Sequence, residues 1–124
     1  MLTKLRVDFS DLRAHRFNHR LNCISPLCKC LTDDETVGHF FVRCPLFLSQ
    51  RKILLDSLND ILNNDTSALP DDHFTKILLY GSTSFNLITN KLILEASIRY
   101  IKKTKRFTKL EAFKKILIGP VVTD

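Results

Sequence analysis

The chain has 124 residues, of which 44% are hydrophobic and 26% are charged, and its formal net charge is +6. This length and apolar content are enough for one modest hydrophobic core and exclude a chain that is disordered throughout. No apolar run approaches the roughly 18 residues that a membrane span needs, and the charged N-terminal residues lack the apolar region of a signal peptide. We therefore expect an intracellular protein, nuclear or cytoplasmic, with no membrane partner.

The charge is unevenly distributed along the chain. Residues 1–30, 31–90 and 91–124 carry net charges of +4, −4 and +6, so two basic ends flank an acidic middle. This pattern suits a polyanion partner such as RNA or DNA. It is equally typical of a solvated, lysine-rich helix, and charge alone does not decide between the two.

The composition predicts an all-α fold, because only 3 glycines accompany many Leu, Ile, Lys and Asn residues. The loop before Pro70 divides the chain into residues 1–63 and residues 70–124, as two units or as one continuous domain. The first range holds an N-terminal helix, a cysteine-rich segment and a following helix, and the second is a basic helical segment. Apolar spacing predicts helices at Asp11 to about Leu21, Glu35–Cys44, about Leu46 to Leu62, Asp72–Tyr80, Asn86 to about Lys105 and Lys109–Ile118.

Capping residues support several of these helix ends. Ser10 is placed to cap the first helix, and Thr36 or Asp34 the second. Gly81 is placed as a C-terminal stop after Tyr80. In the longest helix one apolar stripe is predicted, and it comprises Leu87, Leu94, Ile98 and Ile101.

Four residues have the spacing of a metal site. Cys28, Cys30, His39 and Cys44 follow the pattern C-x-C-x8-H-x4-C, and zinc prefers four such thiolate and imidazole ligands in a tetrahedron. Two cysteines on a tight turn can supply one edge, and a histidine on a helix with a cysteine at its end can supply the other. His39 and Cys44 do not share one α-helical face, but the break at Pro45 allows Cys44 to turn back. The alternative is that Cys28 and Cys44 are small buried apolar residues.

The other cysteine and the other histidines form no second cluster in the sequence. Cys23 is a spare thiol near the first ligand. His15 and His19 are spaced by one helical turn, but no further ligand completes a site, so we expect both at the surface beside basic residues. His73 is expected at the exposed start of a helix.

Motifs around the four ligands resemble the C-terminal zinc-knuckle tail of non-LTR (LINE-type) retrotransposon reverse transcriptases. The resemblance covers roughly residues 12–107 and is most specific around the ligands. Its first block comprises Leu12-Arg-x-His15-x-Phe17-x-His19, Pro26-Leu-Cys28-x-Cys30, Glu35-Thr36-x-x-His39-Phe40, Cys44-Pro45-Leu46-Phe47 and Arg51. A weaker block comprises Leu78-Leu79-Tyr80-Gly81 and Ile98-x-Tyr100-Ile101-x-x-Thr104-Lys105-Arg106-Phe107. At one position the chain departs from the family, which usually has Gly after the second cysteine, where this chain has Leu31; glycine would permit a positive φ in that turn.

The resemblance implies a piece of a polymerase polyprotein that has no catalytic site of its own. Paired aspartates occur at Asp33-Asp34 and Asp71-Asp72, but neither pair follows a tyrosine in a strand as a polymerase requires. Pro70-Asp71 begins an endonuclease-like pattern that no later acid-x-Lys completes. We therefore expect a non-catalytic tail whose parent would be an RNA-directed DNA polymerase.

The function expected from the resemblance is to position RNA template or target DNA in the element's ribonucleoprotein, with zinc as the cofactor. Backbone contacts are expected from Lys102, Lys103, Lys105, Arg106, Lys109, Lys114 and Lys115, with Arg13, Arg16 and Arg20 as a second patch. One alternative is a zinc-stabilised structural domain that braces the parent polyprotein. Another is a decayed gene fragment without selected function, which the change to Leu31 would also fit.

Overall fold

The computed structural model describes residues 2–6, 10–19, 23–63 and 69–107, and within these ranges it confirms a small all-α fold. The described residues contain no strand, and one isolated antiparallel bridge joins Leu27 and Asp34. The predicted helix Lys109–Ile118 lies outside the described residues. The α-helices are α1 (Leu2–Arg6), α2 (Arg13–Asn18), α3 (Leu48–Leu62), α4 (Asp71–Tyr80) and α5 (Leu87–Thr104), with a π-helix at His39–Arg43 and a 3-10 turn at Pro45–Phe47.

Helix α2 begins two residues later than predicted, and its capping group comes from a distant part of the chain. The first free backbone N–H, that of Arg13, donates to the Glu35 carboxylate at 2.7 Å. Ser10 instead accepts from the backbone N–H of Leu12 and bonds the buried His15 ring. The sequence pattern could not indicate this cap, because the acceptor lies more than twenty residues away and is not local.

The segment predicted as a short α-helix at residues 35–44 is mainly a π-helix. Thr36 caps it as predicted, since its hydroxyl accepts from the backbone N–H of His39 at 3.1 Å. The helix closes with the backbone N–H of Cys44 donating to the carbonyl of His39 at 2.8 Å, five residues back. Single π turns of this kind are frequent at functional sites, and here the turn joins two of the predicted ligands.

The predictions for α4 and α5 agree with the structure except in the first turn of α5. Gly81 follows α4 with a φ of +71°, and a side chain there would clash with Asn90. Asn86 caps α5 by accepting from the backbone N–H of Thr89 at 2.8 Å. Leu87 was predicted in the buried stripe of α5 but is 87% exposed, so the stripe begins later. The fully buried residues of α5 are Ile93, Ala96, Ser97, Tyr100, Ile101 and Thr104.

One hydrophobic core contains apolar residues from both sides of the loop before Pro70. Helices α3 and α4 pack against α5, and α1 packs against α4. At its centre the ring of Phe40 lies 5.3 Å from that of Tyr100 and 5.6 Å from that of Phe107, measured between ring centroids. The hydroxyl of Tyr100 also donates to the carbonyl of Phe40 at 2.5 Å. The π-helix is therefore fixed to α5 through the residue next to His39.

Among the described residues, no helix combines the length and the apolar character needed to cross a membrane.

Candidate metal centre

The structure brings together the four residues that the spacing predicted as ligands. The ligand atoms of Cys28, Cys30, His39 and Cys44 all lie within 4.8 Å of one another. The Sγ atoms of Cys28 and Cys44 are 3.7 Å apart, and Sγ of Cys30 lies 3.2 Å from Nε2 of His39. Zinc–sulfur bonds of ~2.3 Å in a tetrahedron separate two sulfurs by about 3.8 Å. The cluster therefore has the size and donor set to hold a metal ion and is compatible with zinc.

A tight turn supplies the first two ligands. The backbone N–H of Leu31 donates to the carbonyl of Cys28 at 2.9 Å, and the backbone N–H of Cys28 donates to the carbonyl of Asp33. Backbone N–H groups also face the sulfurs: that of Cys30 faces Cys28, and that of Thr32 faces Cys30. Because such bonds stabilise a thiolate, the turn is suited to cation binding.

The π-helix and the residue that follows it supply the other two candidate ligands. Its geometry explains how His39 and Cys44 can face the same site although they are five residues apart. In a regular α-helix, residues five apart do not lie on one face. The wider π turn bonds residue i to residue i+5, and it brings the Cys44 backbone against His39. Cys44 then leaves the helix with extended backbone before Pro45. The local change of helix type therefore places His39 and Cys44 on the same side.

The site lies at the edge of the core. Cys28, His39 and Cys44 are each at most 2% exposed, and Cys30 is half-buried on the solvent side. The guanidinium of Arg51, also buried, donates to the carbonyls of Phe41 and Cys44. Three thiolates around a divalent cation leave a net negative charge. Arg51 therefore ties α3 to the last ligand and contributes a nearby positive charge.

The three thiols of the cluster differ in acidity. A hydrogen bond with the Thr32 hydroxyl, aided by the Thr32 backbone N–H, lowers the pKa of Cys30 to about 6. Burial raises the pKa of Cys28 to about 12 and also raises the pKa of Cys44. In the metal-free chain at neutral pH, two of the three sulfurs therefore keep their protons. A bound cation must displace them, as metal ligation by cysteine generally does.

The His39 ring is oriented for ligation through Nε2. That atom faces Cys30, while the buried Nδ1 has no hydrogen-bond partner among the described residues. Ligand histidines usually donate the other ring N–H to an acceptor. When Nε2 binds a metal the ring proton lies on Nδ1, so the site carries one unsatisfied donor, at a cost of about 1–3 kcal/mol.

Leu31 adopts the backbone conformation that favours glycine, with a φ of +67°. The turn therefore adopts a left-handed residue at this position although Leu31 carries a side chain. A left-handed conformation costs a residue with a Cβ roughly 1–2 kcal/mol. The Leu31 side chain is 75% exposed and offsets little of this cost by packing.

Replacing Leu31 with Gly should therefore stabilise the protein. We expect the free energy of unfolding to rise by about 0.5–1 kcal/mol, because released strain exceeds the backbone entropy that glycine adds. Urea denaturation of the metal-loaded protein measures the change. Leu31→Ala is the matched control: it removes the same exposed side chain but keeps the Cβ, and it should change little. An equal gain in Leu31→Ala would refute the backbone explanation.

Two acidic residues for which the sequence indicated no functional role, Glu35 and Asp11, contact the Arg106 guanidinium. Glu35 is 4% exposed and accepts two hydrogen bonds from the Arg106 guanidinium, at 2.6 and 2.7 Å. The Arg106 guanidinium also donates to the carbonyl of Asp11 at 3.0 Å. Burial lowers the pKa of Arg106, but Glu35 and Asp11 raise it and prevail. The one signal in the sequence was that Glu35 stands within the block resembling the knuckle family.

The residues predicted to contact nucleic acid have different surroundings. Lys102, Lys103 and Lys105 are exposed at the end of α5. Arg106 is paired with Glu35, so little of its donor capacity is left for phosphate. Arg13 and Arg16 are half-buried, and Arg13 donates to the carbonyl of Leu27. The remaining four, Arg20, Lys109, Lys114 and Lys115, lie outside the described residues.

The spare cysteine and the other histidines lie outside the cluster. Cys23 is half-buried and donates to the carbonyl of Ser25 at 3.0 Å. His19 and His73 are exposed, as expected. The prediction of a surface position was wrong for His15, which is 5% exposed and hydrogen-bonded to Ser10. No family model, curated protein or solved structure matches the chain, so the assignment of the metal centre depends on the geometry of its four ligands.

Proposed function

We propose that the cluster binds zinc and that the metal is structural. Three thiolates and one imidazole form a closed set of four, which is the usual arrangement of structural zinc sites. Three of the four ligands are almost fully buried, and four protein ligands would leave a tetrahedral ion no open position for water or substrate. Zinc would fix the turn at Cys28–Leu31 against the π-helix and so supply part of the stability that a small core lacks.

We further propose that the domain is a non-catalytic, nucleic-acid-binding tail of a retrotransposon reverse transcriptase. The observation that supports it is the arrangement of basic residues from the two ends of the chain. Asp11 lies between the Arg16 guanidinium, at 3.7 Å, and the Arg106 guanidinium, at 3.8 Å. These contacts join the segment after α5, next to the exposed lysines, to the start of α2 and its arginines. A joint basic surface of this kind suits backbone contacts with RNA or DNA.

A second candidate function is to brace the parent polyprotein, and one surface feature favours it. Leu87, Ile88 and Leu92 at the start of α5 are 87%, 72% and 42% exposed. Exposed apolar residues close together often mark protein contacts. In this alternative the zinc site serves only the fold, and the basic end of α5 is a solvated surface.

Salt dependence of binding separates the two candidates. We expect the zinc-loaded protein to bind labelled single-stranded RNA or duplex DNA with little sequence preference. With ~4 phosphate contacts, affinity should fall by roughly 50- to 150-fold between 50 and 200 mM salt. Replacing Lys102, Lys103 and Lys105 with Gln should reduce the magnitude of the log–log slope by about two to three. Fluorescence anisotropy across a salt series measures both quantities.

The matched control removes three exposed lysines elsewhere: Lys52, Lys76 and Lys91 are replaced with Gln. This variant has the same net charge as the first, so a general loss of charge would weaken both equally. We expect the control to keep most of the parent slope. Undetectable binding of the parent at low salt, or equal binding by the two variants, would refute the nucleic-acid proposal and favour the bracing role.

A further inference from the structure

Glu35 lies in the middle of the metal-binding segment, between the second ligand and the third. Its backbone N–H donates to the carbonyl of Pro26 at 2.8 Å, which fixes it beside the turn that carries Cys28 and Cys30. Thr36, the next residue, caps the π-helix that carries His39. The position of the Glu35 side chain therefore depends on the same backbone that four ligands around one metal ion would hold.

The Glu35 carboxylate joins two helices that are far apart in sequence. Oε1 accepts from the backbone N–H of Arg13 at 2.7 Å and from Nη2 of Arg106 at 2.6 Å. Oε2 accepts from Nε of Arg106 at 2.7 Å. The backbone carbonyl of Glu35 also accepts from the N–H of Ala14 at 3.2 Å. One residue of the metal-binding segment thus holds both the start of α2 and the end of α5.

Both helices carry basic residues beside these contacts. Arg13 and Arg16 lie on α2, and Lys102, Lys103 and Lys105 lie at the end of α5. Without the contacts to Glu35, the distance between the two groups would depend on the packing of the short α2 and on the contacts of Arg106 with Asp11. A surface that neutralises several phosphates at once requires that distance to be fixed.

We infer that Glu35 couples metal occupancy to polyanion binding, because its contacts help to hold the arginines of α2 and the lysines of α5 in one surface and depend on an ordered metal-binding segment. This inference rests on the proposed nucleic-acid function and adds its regulation. Glu35 acts as a positioning residue, since a carboxylate does not itself bind phosphate. Loss of the metal would release the segment, separate the basic groups and weaken binding.

The direction in which Glu35→Gln changes binding affinity distinguishes this coupling from a simple effect of charge. Glu35→Gln removes a negative charge, so general electrostatics predicts tighter binding to RNA or DNA. Positioning predicts weaker binding, because a neutral amide no longer holds the Arg106 guanidinium as a bidentate ion pair. Asp60→Asn is the control: it removes the same charge from an exposed residue of α3, and binding should stay equal or tighten slightly.

The measurement is anisotropy of a labelled duplex DNA at low salt, for each protein with zinc and after chelation. We expect zinc to strengthen binding by the parent about ten-fold, within the usual range of coupling between two sites. Glu35→Gln with zinc should bind several-fold more weakly than the parent at equal zinc content, and chelation should weaken its binding less than it weakens binding by the parent. Coupling is reciprocal in affinity, so duplex DNA should lower the fraction of zinc that a chromogenic chelator removes at equilibrium from the parent and not from Glu35→Gln.

A second variant covers the case in which Glu35→Gln loses zinc or structure. Arg106→Lys keeps the net charge and removes the bidentate pairing, so it should also weaken binding while Asp60→Asn does not. Equal or tighter binding by Glu35→Gln with full zinc content would overturn the coupling and leave the proposed function standing. So would equal affinity of the parent with and without zinc. No binding by the zinc-loaded parent would instead overturn the proposed function itself.

Discussion

Cys44→Ser should abolish metal binding and remove much of the tertiary structure of the protein. Cys44 is fully buried, its sulfur lies 3.7 Å from that of Cys28, and a serine hydroxyl is a poor zinc ligand. Apparent binding free energies of structural zinc at neutral pH are about 10–16 kcal/mol in small domains, far more than a typical mutation changes. Metal analysis of the purified parent should give one zinc per chain, and the variant should contain none.

The control for this experiment is Cys23→Ser, which changes a cysteine outside the cluster. It should retain zinc and cooperative thermal unfolding. Chelation of the parent should have the same effect as Cys44→Ser and should also loosen α5, because Phe40 packs against Tyr100 and Phe107. Full zinc content in Cys44→Ser would remove that residue from the ligand set.

Arg106→Met should lower the free energy of unfolding by about 3–5 kcal/mol, because it leaves the buried Glu35 carboxylate without its charge partner. The Glu35 side chain is 5% exposed and that of Arg106 is 22% exposed, so solvent screens this pair little. Adding Glu35→Gln to Arg106→Met should recover part of the loss, since the buried charge is then gone as well. Urea denaturation of the zinc-loaded proteins measures both steps.

Arg16→Gln provides the comparison for an exposed ion pair. Arg16 and Asp11 are 33% and 41% exposed and lie 3.7 Å apart, and removing such a pair costs at most about 1 kcal/mol. A loss of similar size in Arg106→Met and Arg16→Gln, or no recovery in the double variant, would show that the Glu35–Arg106 pair is not energetically distinct.

Local patterns in the sequence were enough to predict the helical fold and the four residues that cluster as candidate metal ligands. The spacing of Cys28, Cys30, His39 and Cys44 reflects a turn and a helix end, and both are short-range structures. The same is true of Gly81, whose role as a helix stop follows from its backbone conformation. These features depend on residues within a few positions of one another, so a single sequence contains them.

What could not be predicted depends on contacts that are distant in sequence. Glu35 caps α2 and pairs with Arg106, 71 residues away, and no local pattern indicates either contact. The π turn at His39–Arg43 forms where an α-helical pattern is expected, with Phe40 and Phe41 in the core and Arg51 bound to its last carbonyls. Leu87 fitted the apolar period of α5 but lies beyond the region that α3 and α4 cover. In these cases tertiary packing, and not the periodicity of apolar residues, determined the observed structure.

The hydrogen bond from Tyr100 to Phe40 spans 60 residues and bears on the order of events during synthesis. All four ligands lie within residues 28–44, so zinc can close a short loop with a small entropic cost soon after this segment leaves the ribosome. Phe40 cannot pack against Tyr100 until the 60 residues between them have been synthesised. At a synthesis rate of about 5–20 residues per second, this takes roughly 3–12 s. During it the aromatic face beside His39 is uncovered. A chaperone would meet that face before α5 does.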